Sequence, residues 1–218
     1  MCFIFLFASL INPVVTYIAL GFLSFFTLRE IYSLLNLREM DRFVLFFCYI
    51  CIPIQYYLAF KGYYTLFLIF IPVFMFIIIP FLLVLTGETK DIIRSMCILP
   101  TSLMLGVFGI SHLALLISFP EMNSNGVSGK ALLLFLIFIT EANDIMQFVW
   151  GKIFGKTKIL PNVSPNKTWE GFIGGVLSTT VIGYFMGFLT PLSSLQLILI
   201  SPSIAILGFM GDAILSAV

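Results

Sequence analysis

Charged residues are scarce in this sequence of 218 residues: 10% are charged, whereas 61% are hydrophobic. Soluble domains contain about 25% charged and about 45–50% apolar residues. The shortage of charge therefore excludes a sizeable soluble domain. The formal net charge of +1 also excludes a nucleic-acid partner, because recognition of a phosphate backbone needs a basic face.

Histidine and cysteine are also rare. His112 is the only histidine, and of the four cysteines only Cys48 and Cys51 have a C-x-x-C spacing. That pair lies in an apolar run without a second pair or a nearby histidine, so two small apolar side chains explain it best. The sequence therefore predicts neither a disulfide framework nor a zinc or redox site. The basic region of a cleavable signal peptide is missing as well.

Long apolar runs, in contrast, fill the chain. A helix needs about 20 apolar residues to cross about 30 Å of hydrocarbon. This rule predicts an all-α, polytopic integral membrane helical bundle with about seven transmembrane helices. The predicted spans are residues 13–28, 43–60, 64–85, 95–119, 131–150, 171–190 and 195–218. We interpret residues 1–218 as one transmembrane domain, with N-terminal spans in 1–130 and a motif-bearing core in 131–218.

The basic residues are distributed unevenly between the six predicted loops. Nine of the eleven lie in loops 29–42, 86–94 and 151–170, and only Lys61 and Lys130 lie in the alternate loops. The positive-inside rule then places the first set in the cytoplasm. Segment 151–170 alone holds four lysines. The sequence therefore predicts a multi-pass integral membrane protein whose functional loop faces the cytoplasm.

Two carboxylates, Asp144 and Asp212, lie within predicted spans at similar depth on the cytoplasmic side. An acid inside a membrane is costly and marks a functional site by default. Mg²⁺ typically takes one or two carboxylates together with substrate phosphates and water. The two acids are therefore candidate ligands of one Mg²⁺ ion. An ion pair between either acid and a lysine of the loop is the structural alternative.

The segment SPNKTWE, residues 164–170, combines two hydroxyl groups and an ammonium group. Ser164, Lys167 and Thr168 form a natural phosphate-binding set once Pro165 fixes the turn. A glycine-rich helix start at Gly171 adds a possible anion site at a helix N-terminus. The spacing of a Walker loop is absent.

The longer stretch NDIMQFVWGKIFGKTKILPNVSPNKTWEGFIGG, residues 143–175, resembles the phosphatidate cytidylyltransferase (CDP-diacylglycerol synthase) family. That family carries ND-x-x-A-Y, then F-G-K, then S-P-x-K-T-W-E-G-F-I-G-G. Gly211, Asp212 and Ser216 resemble the start of its G-D-x-x-x-S element. The first 130 residues resemble the family only as a series of spans.

The resemblance implies a membrane nucleotidyltransferase that joins CTP to a lipid phosphate, phosphatidate, giving CDP-diacylglycerol and pyrophosphate for phospholipid biosynthesis. It implies catalytic roles for Asp144, Lys167 and Asp212, with Asp212 and Asp144 holding Mg²⁺. It implies substrate binding by Asn143, Ser164, Lys167 and Thr168. The expected partners are CTP, phosphatidate and the lipid bilayer, and a homodimer is left open.

Two departures from the family pattern affect the expected lipid substrate and the expected activity. Gln147 and Phe148 stand where the family usually has Ala and Tyr, so the lipid substrate could differ. The family also continues beyond G-D-x-x-x-S with further Lys, Arg, His and Asp residues, so residues 1–218 alone are expected to be inactive. Two alternatives stay open: CTP-dependent activation of another lipid phosphate, and a transport or assembly protein without chemistry.

Overall fold

The computed structural model of this protein describes residues 13–35, 41–87, 91–118 and 127–216. Within these ranges, seven helices are long and apolar enough to cross a membrane. They are α1 (Pro13–Leu34), α2 (Asp41–Lys61), α3 (Tyr64–Leu85), α4 (Ile92–Ile117), α5 (Gly129–Phe154), α6 (Trp169–Phe185, which a 3-10 turn extends to Leu189) and α7 (Ser194–Leu215). The predicted all-α membrane bundle of seven helices is confirmed. The apolar run before residue 13 lies outside the described residues.

The chain divides into two compact units, Met1–Phe119 and Pro120–Val218. The first contains α1 to α4, and the second contains α5 to α7 with a short hairpin. Many large apolar side chains are exposed on the helices of both units, including Phe22, Phe81, Leu177 and Leu199. Such surfaces are satisfied by a lipid bilayer and not by water. The single transmembrane domain over residues 1–218 stays a prediction.

The first unit packs around buried aliphatic and aromatic side chains, among them Val44, Phe67, Ile79 and Leu103. Several of its polar groups form hydrogen bonds within the protein, which a membrane interior favours. The Ser95 hydroxyl donates to Asp41 Oδ2 at 2.7 Å, and the Tyr56 hydroxyl donates to the Leu20 carbonyl at 2.9 Å. These contacts connect α2 to α4 and to α1.

Helices α3 and α4 each contain one stretch with π-helical hydrogen bonding, Phe70–Met75 and Met104–Gly109. Pro72 lies inside the first stretch, and Pro100 lies four residues before the second. A proline removes one backbone donor and crowds the preceding turn, which favours a local change of helical pitch.

Each helix of the second unit begins with a hydroxyl cap. Ser128 Oγ accepts from the Ala131 amide, Thr168 Oγ1 accepts from the Gly171 amide, and Ser193 forms a capping box with Gln196. Such caps satisfy amides that have no partner within the helix. Helix α6 ends in a 3-10 turn, Met186–Leu189.

The predicted loop after α5 contains an antiparallel β-hairpin that the sequence did not reveal. Strand β1 (Lys158–Leu160) pairs with β2 (Ser164–Thr168), with Lys158 opposite Thr168, Leu160 opposite Ser164 and an irregularity between them. Pro165 lies inside β2, and a proline normally argues against a strand. The hairpin continues directly into α6, which begins at Trp169.

Candidate active site

Lys167 and Asp212 form a direct ion pair and hydrogen bond between strand β2 and the last turn of α7. The Lys167 side chain is only 15% exposed, whereas that of Asp212 is 55% exposed. The Lys167 ammonium also lies 4.6 Å from the centre of the Phe209 ring, one turn before Asp212. A carboxylate and an aromatic face therefore hold this cation in a defined position.

The ion pair forms part of the wall of a cavity of about 260 Å³. Residues of α5, β2, α6 and α7 contribute to this wall. Its lining residues are Asp144, Gln147, Phe148, Ser164, Asn166, Lys167, Thr168, Gly171, Phe172, Phe209 and Asp212. Asp144 interacts electrostatically with both Asp212 and Lys167. One ammonium and two carboxylates thus share a single pocket.

Glycines on α6 let this helix approach α5 closely. A Cβ added at Gly171 would lie 2.8 Å from the Gln147 carbonyl oxygen, and one added at Gly174 would lie 2.3 Å from Trp150 Cγ. At Gly175 the added atom would lie 2.3 Å from Gln147 Cγ. The helices therefore pack with almost no side chain between them. These glycines therefore let α5 and α6 pack closely beside the pocket, whose lining includes Gly171.

Glu170 and Trp169 bind the start of α6 to the segment that directly follows α5. The Glu170 carboxylate accepts hydrogen bonds from the amides of Lys156 and Thr157, at 3.1 and 3.2 Å. The Trp169 amide donates to the Thr157 carbonyl at 2.9 Å. Because β2 runs directly into α6, these bonds fix the strand that carries Lys167.

Asn143 lies away from the pocket lining, in contrast to its neighbour Asp144. Its amide nitrogen donates to the Ala205 carbonyl at 3.3 Å, and its oxygen accepts from the Thr179 hydroxyl at 3.3 Å. The side chain is 1% exposed. Asn143 therefore connects α5 to α6 and α7 from within the unit.

Comparison with known proteins decides the family, because the model of the Cytidylyltransferase family matches residues 1–218. The chain belongs to the Cytidylyltransferase family. It is 38% identical over 197 residues, 90% of its length, to the uncharacterized protein YnbB of Escherichia coli strain K12. The chain spans 64% of the length of YnbB.

Other relatives of this cytidylyltransferase-family chain match a shorter segment. Phosphatidate cytidylyltransferase of Chlamydia pneumoniae is 43% identical over 87 residues, which is 37% of this chain and 28% of that protein. Phosphatidate cytidylyltransferase 2 of Rattus norvegicus is 36% identical over 85 residues, which is 38% of this chain and 19% of that protein. The similarity in sequence to proteins of that name is therefore regional.

In this cytidylyltransferase-family chain, the structure brings most predicted site residues together. Asp144, Ser164, Lys167, Thr168 and Asp212 all line the pocket. Asn143 does not line it, and the Thr168 hydroxyl is already used as the cap of α6. The alternative of an ion pair with a loop lysine is what the structure shows for Asp212. The catalytic and binding roles themselves stay predictions.

Several lining residues were not identified as site residues from the sequence. Phe209 lies three residues before Asp212 on α7, so helical spacing alone could have placed it on the same face. Asn166 precedes Lys167 in SPNKTWE and carried no signal of its own. Gln147 was noted only as a departure from the family pattern, although it lies one turn after Asp144 on the pocket side of α5.

The acidic side chains of the pocket are of the type that binds a hard divalent cation when a substrate supplies the remaining ligands. Two carboxylates, Asp144 and Asp212, line the pocket. In the ranges described, no group of three or more His, Cys, Asp or Glu side chains is arranged to hold a metal by itself. Mg²⁺ usually takes one or two carboxylates and completes its shell with phosphate oxygens and water. The chemistry of the pocket suits this mode of binding.

Proposed function

We propose that this chain carries the active site of a CTP-dependent lipid-phosphate cytidylyltransferase that acts on phosphatidate and supplies CDP-diacylglycerol for phospholipid biosynthesis. The observation that carries the proposal is the shared pocket of Lys167, Asp144 and Asp212 in a chain of the Cytidylyltransferase family. The relatives named phosphatidate cytidylyltransferase support the choice of lipid.

The reaction transfers a cytidylyl group to the lipid phosphate. An oxygen of the phosphatidate phosphate attacks the α-phosphorus of CTP, and a new P–O bond forms. The bond between the α-phosphorus and its bridging oxygen to the β-phosphate breaks, and pyrophosphate leaves with that electron pair. The enzyme needs little covalent chemistry of its own, because positioning and charge neutralisation lower the barrier.

The side chains of the pocket suit these two tasks. Lys167 would neutralise phosphate oxygens once a ligand replaces Asp212 as its partner, while the Ser164 hydroxyl and Asn166 amide would orient them. Asp144 and Asp212 would hold Mg²⁺, which supplies further charge neutralisation at the phosphates when it is bound. Phe148, Phe172 and Phe209 contribute apolar surface to the same wall.

The pocket is smaller than those that enclose a whole drug-sized ligand. Pockets that enclose drug-sized ligands measure about 300–1,000 Å³, and this cavity measures about 260 Å³. It suits the reacting phosphate groups, with the nucleoside and the acyl chains extending beyond it. We place the pocket at the cytoplasmic membrane boundary, because segment 151–170 holds four lysines. There a lipid phosphate and a water-soluble nucleotide can meet.

A second lipid phosphate is a specific alternative. Gln147 and Phe148, which depart from the pattern of the resembled family, both line the pocket. The departures therefore lie where a substrate would be selected. An isoprenoid phosphate has the same attacking phosphate group as phosphatidate, but its hydrocarbon part is different.

Ligand-induced stabilisation tests the proposal. CTP with Mg²⁺ should raise the Tm of the detergent-solubilised protein, since a ligand at a hundred times its Kd stabilises by about 2.7 kcal/mol. Lys167→Ala should remove most of the increase. Short-chain phosphatidate and an isoprenoid phosphate, each added separately, then identify the preferred lipid. A Tm that CTP and Mg²⁺ leave unchanged would overturn the proposed function.

A further inference from the structure

Gln147 presents an unused hydrogen-bonding group beside the phosphate-binding residues. Its side-chain nitrogen Nε2 is buried and, in the part of the chain that the structure describes, has no hydrogen-bond partner. A buried donor without a partner is costly and rare in folded proteins. The residue nevertheless lines the same pocket as Asp144, Lys167 and Asp212.

The position of Gln147 is fixed by the neighbouring helix. A Cβ at Gly175 would come within 2.3 Å of Gln147 Cγ and 3.2 Å of its Cα, so the stem of the side chain packs directly against the α6 backbone. The backbone of Gln147 is also close to Gly171, where an added Cβ would lie 2.8 Å from the Gln147 carbonyl oxygen. Only the terminal amide keeps rotational freedom, because the last torsion of a glutamine is soft. Its N–H groups can therefore turn toward an acceptor that enters the pocket.

We propose that Gln147 is a further substrate-contacting residue, whose side-chain amide donates a hydrogen bond to a phosphate oxygen bound between Asp144 and Lys167. The inference rests on the proposed function and extends it by a specificity-determining residue. The unpaired nitrogen is then explained as a donor reserved for the ligand. Both CTP and phosphatidate carry phosphate oxygens, so either substrate could supply the oxygen that accepts this hydrogen bond.

Substitutions at Gln147 separate a ligand contact from a structural role. Gln147→Met keeps the length of the side chain and removes the donor. Without ligand, the Tm of this variant should stay equal or rise, because an unpaired buried amide is replaced by an apolar group. Its affinity for the ligand that contacts Gln147 should fall about tenfold to a hundredfold, as expected for a lost hydrogen bond to a charged group. A purely structural residue would not produce these opposite changes.

Titrations of Tm with CTP and Mg²⁺, and separately with dihexanoyl phosphatidate, distinguish the two sources of the oxygen. Gln147→Ala serves as a second donor-free variant if Gln147→Met does not fold. Ser201→Ala is the matched control, because the Ser201 hydroxyl is also buried without a partner within the described residues but does not line this pocket. Its ligand affinities should equal those of the unmodified protein.

The outcomes are distinct. A weaker affinity in the CTP titration assigns the contact to the nucleotide, and a weaker affinity in the phosphatidate titration assigns it to the lipid. Unchanged affinities for both ligands in Gln147→Met and Gln147→Ala would overturn the inference while leaving the proposed function standing. If the unmodified protein responds to neither ligand, both the proposed function and this inference are wrong.

Discussion

Lys167 has a partner in the pocket, since its ammonium group pairs with Asp212 and lies against the Phe209 ring. A flexible lysine in water would lose side-chain entropy on binding a phosphate. In this pocket much of that loss has occurred beforehand, because the side chain is only 15% exposed. Under the proposed function, the pair would hold the cation in place for an anionic ligand, which would compete with Asp212.

Replacing Lys167 tests its proposed role. In a version of the protein that forms CDP-lipid from CTP and phosphatidate, Lys167→Ala should reduce this formation by at least about a hundredfold, a barrier increase of about 2.7 kcal/mol. The ligand-free Tm should change little, because the partner carboxylate of Asp212 is 55% exposed and can be hydrated. Lys167→Arg, which keeps the charge in a different shape, is the matched variant. Full activity of Lys167→Ala would reduce SPNKTWE to a structural turn.

As a proposed Mg²⁺ ligand, Asp212 is expected to set the Mg²⁺ concentration at which CTP raises the Tm. At fixed CTP, Asp212→Asn should raise the Mg²⁺ concentration that gives half of the maximal Tm increase by about tenfold or more, because a carboxylate ligand is lost. Asp91→Asn makes the same chemical change in the first unit and should have no such effect. An unaltered Mg²⁺ dependence in Asp212→Asn would contradict the metal-binding role.

Asn143 is predicted to stabilise the fold of the second unit. Its buried amide bonds to Ala205 and Thr179, so Asn143→Ala leaves a carbonyl and a hydroxyl without their partner. We expect the free energy of unfolding to fall by about 1–3 kcal/mol, with little change in CTP affinity. Thermal unfolding and a CTP titration measure the two quantities. A normal Tm with a weakened CTP response would restore the substrate-binding role that the sequence suggested.

At the scale of secondary structure, the helices could be predicted from the sequence because they depend on composition. The hairpin and the glycine contacts between helices could not. Apolar runs predicted all seven helices, because membrane thickness sets their length. The hairpin was missed because strands of three and five residues, one with an internal proline, give no periodic pattern. The contacts of Gly171, Gly174 and Gly175 with α5 become visible only in the folded structure. From the sequence alone, a role in helix packing could not be distinguished from a role in admitting a ligand.

The contact between α5 and α6 should tolerate no added methyl group. Gly174→Ala places a Cβ about 2.3 Å from the Trp150 ring, so the indole must move and strain its hydrogen bond to Ser178. We expect a loss of about 1–3 kcal/mol of stability from this overpacking, seen as a lower Tm. Gly211→Ala is the control, because nothing lies within 4 Å of its added atom. There the better helix propensity of alanine should preserve or raise the Tm. Equal Tm values would refute the packing role.

At the scale of the whole molecule, the site was predictable to the extent that its residues lie close together in the sequence. Ser164 and Lys167 share one strand, and Asp144 precedes them by one short segment. Asp212 was identified by its depth and motif, and the fold brings it to Lys167. Gln147, Asn166 and Phe209 escaped because amides and aromatic rings in an apolar chain have no distinctive pattern. Only the packing of α5, β2 and α7 shows that they line one pocket.

The distribution of nine basic residues against two predicts the membrane orientation. A single cysteine placed at Asn125 should react with an impermeant maleimide in intact cells. One placed at Lys156 should react only after the cytoplasmic face is opened. The native cysteines must first be replaced, since Cys97 is exposed. The reverse labelling pattern would invert the topology and remove the argument that nucleotide and lipid meet at this pocket.

The bonds between Glu170 and the amides of Lys156 and Thr157 make the intervening segment a closed loop with joined ends. Its turn, Pro161 to Val163, is exposed. Extra residues at an exposed turn cost little, since loop-closure entropy grows only slowly with length. An epitope inserted between Asn162 and Val163 would therefore lengthen the turn without separating α5 from α6. The hairpin tip is thus a practical place for an affinity handle a few residues from the pocket.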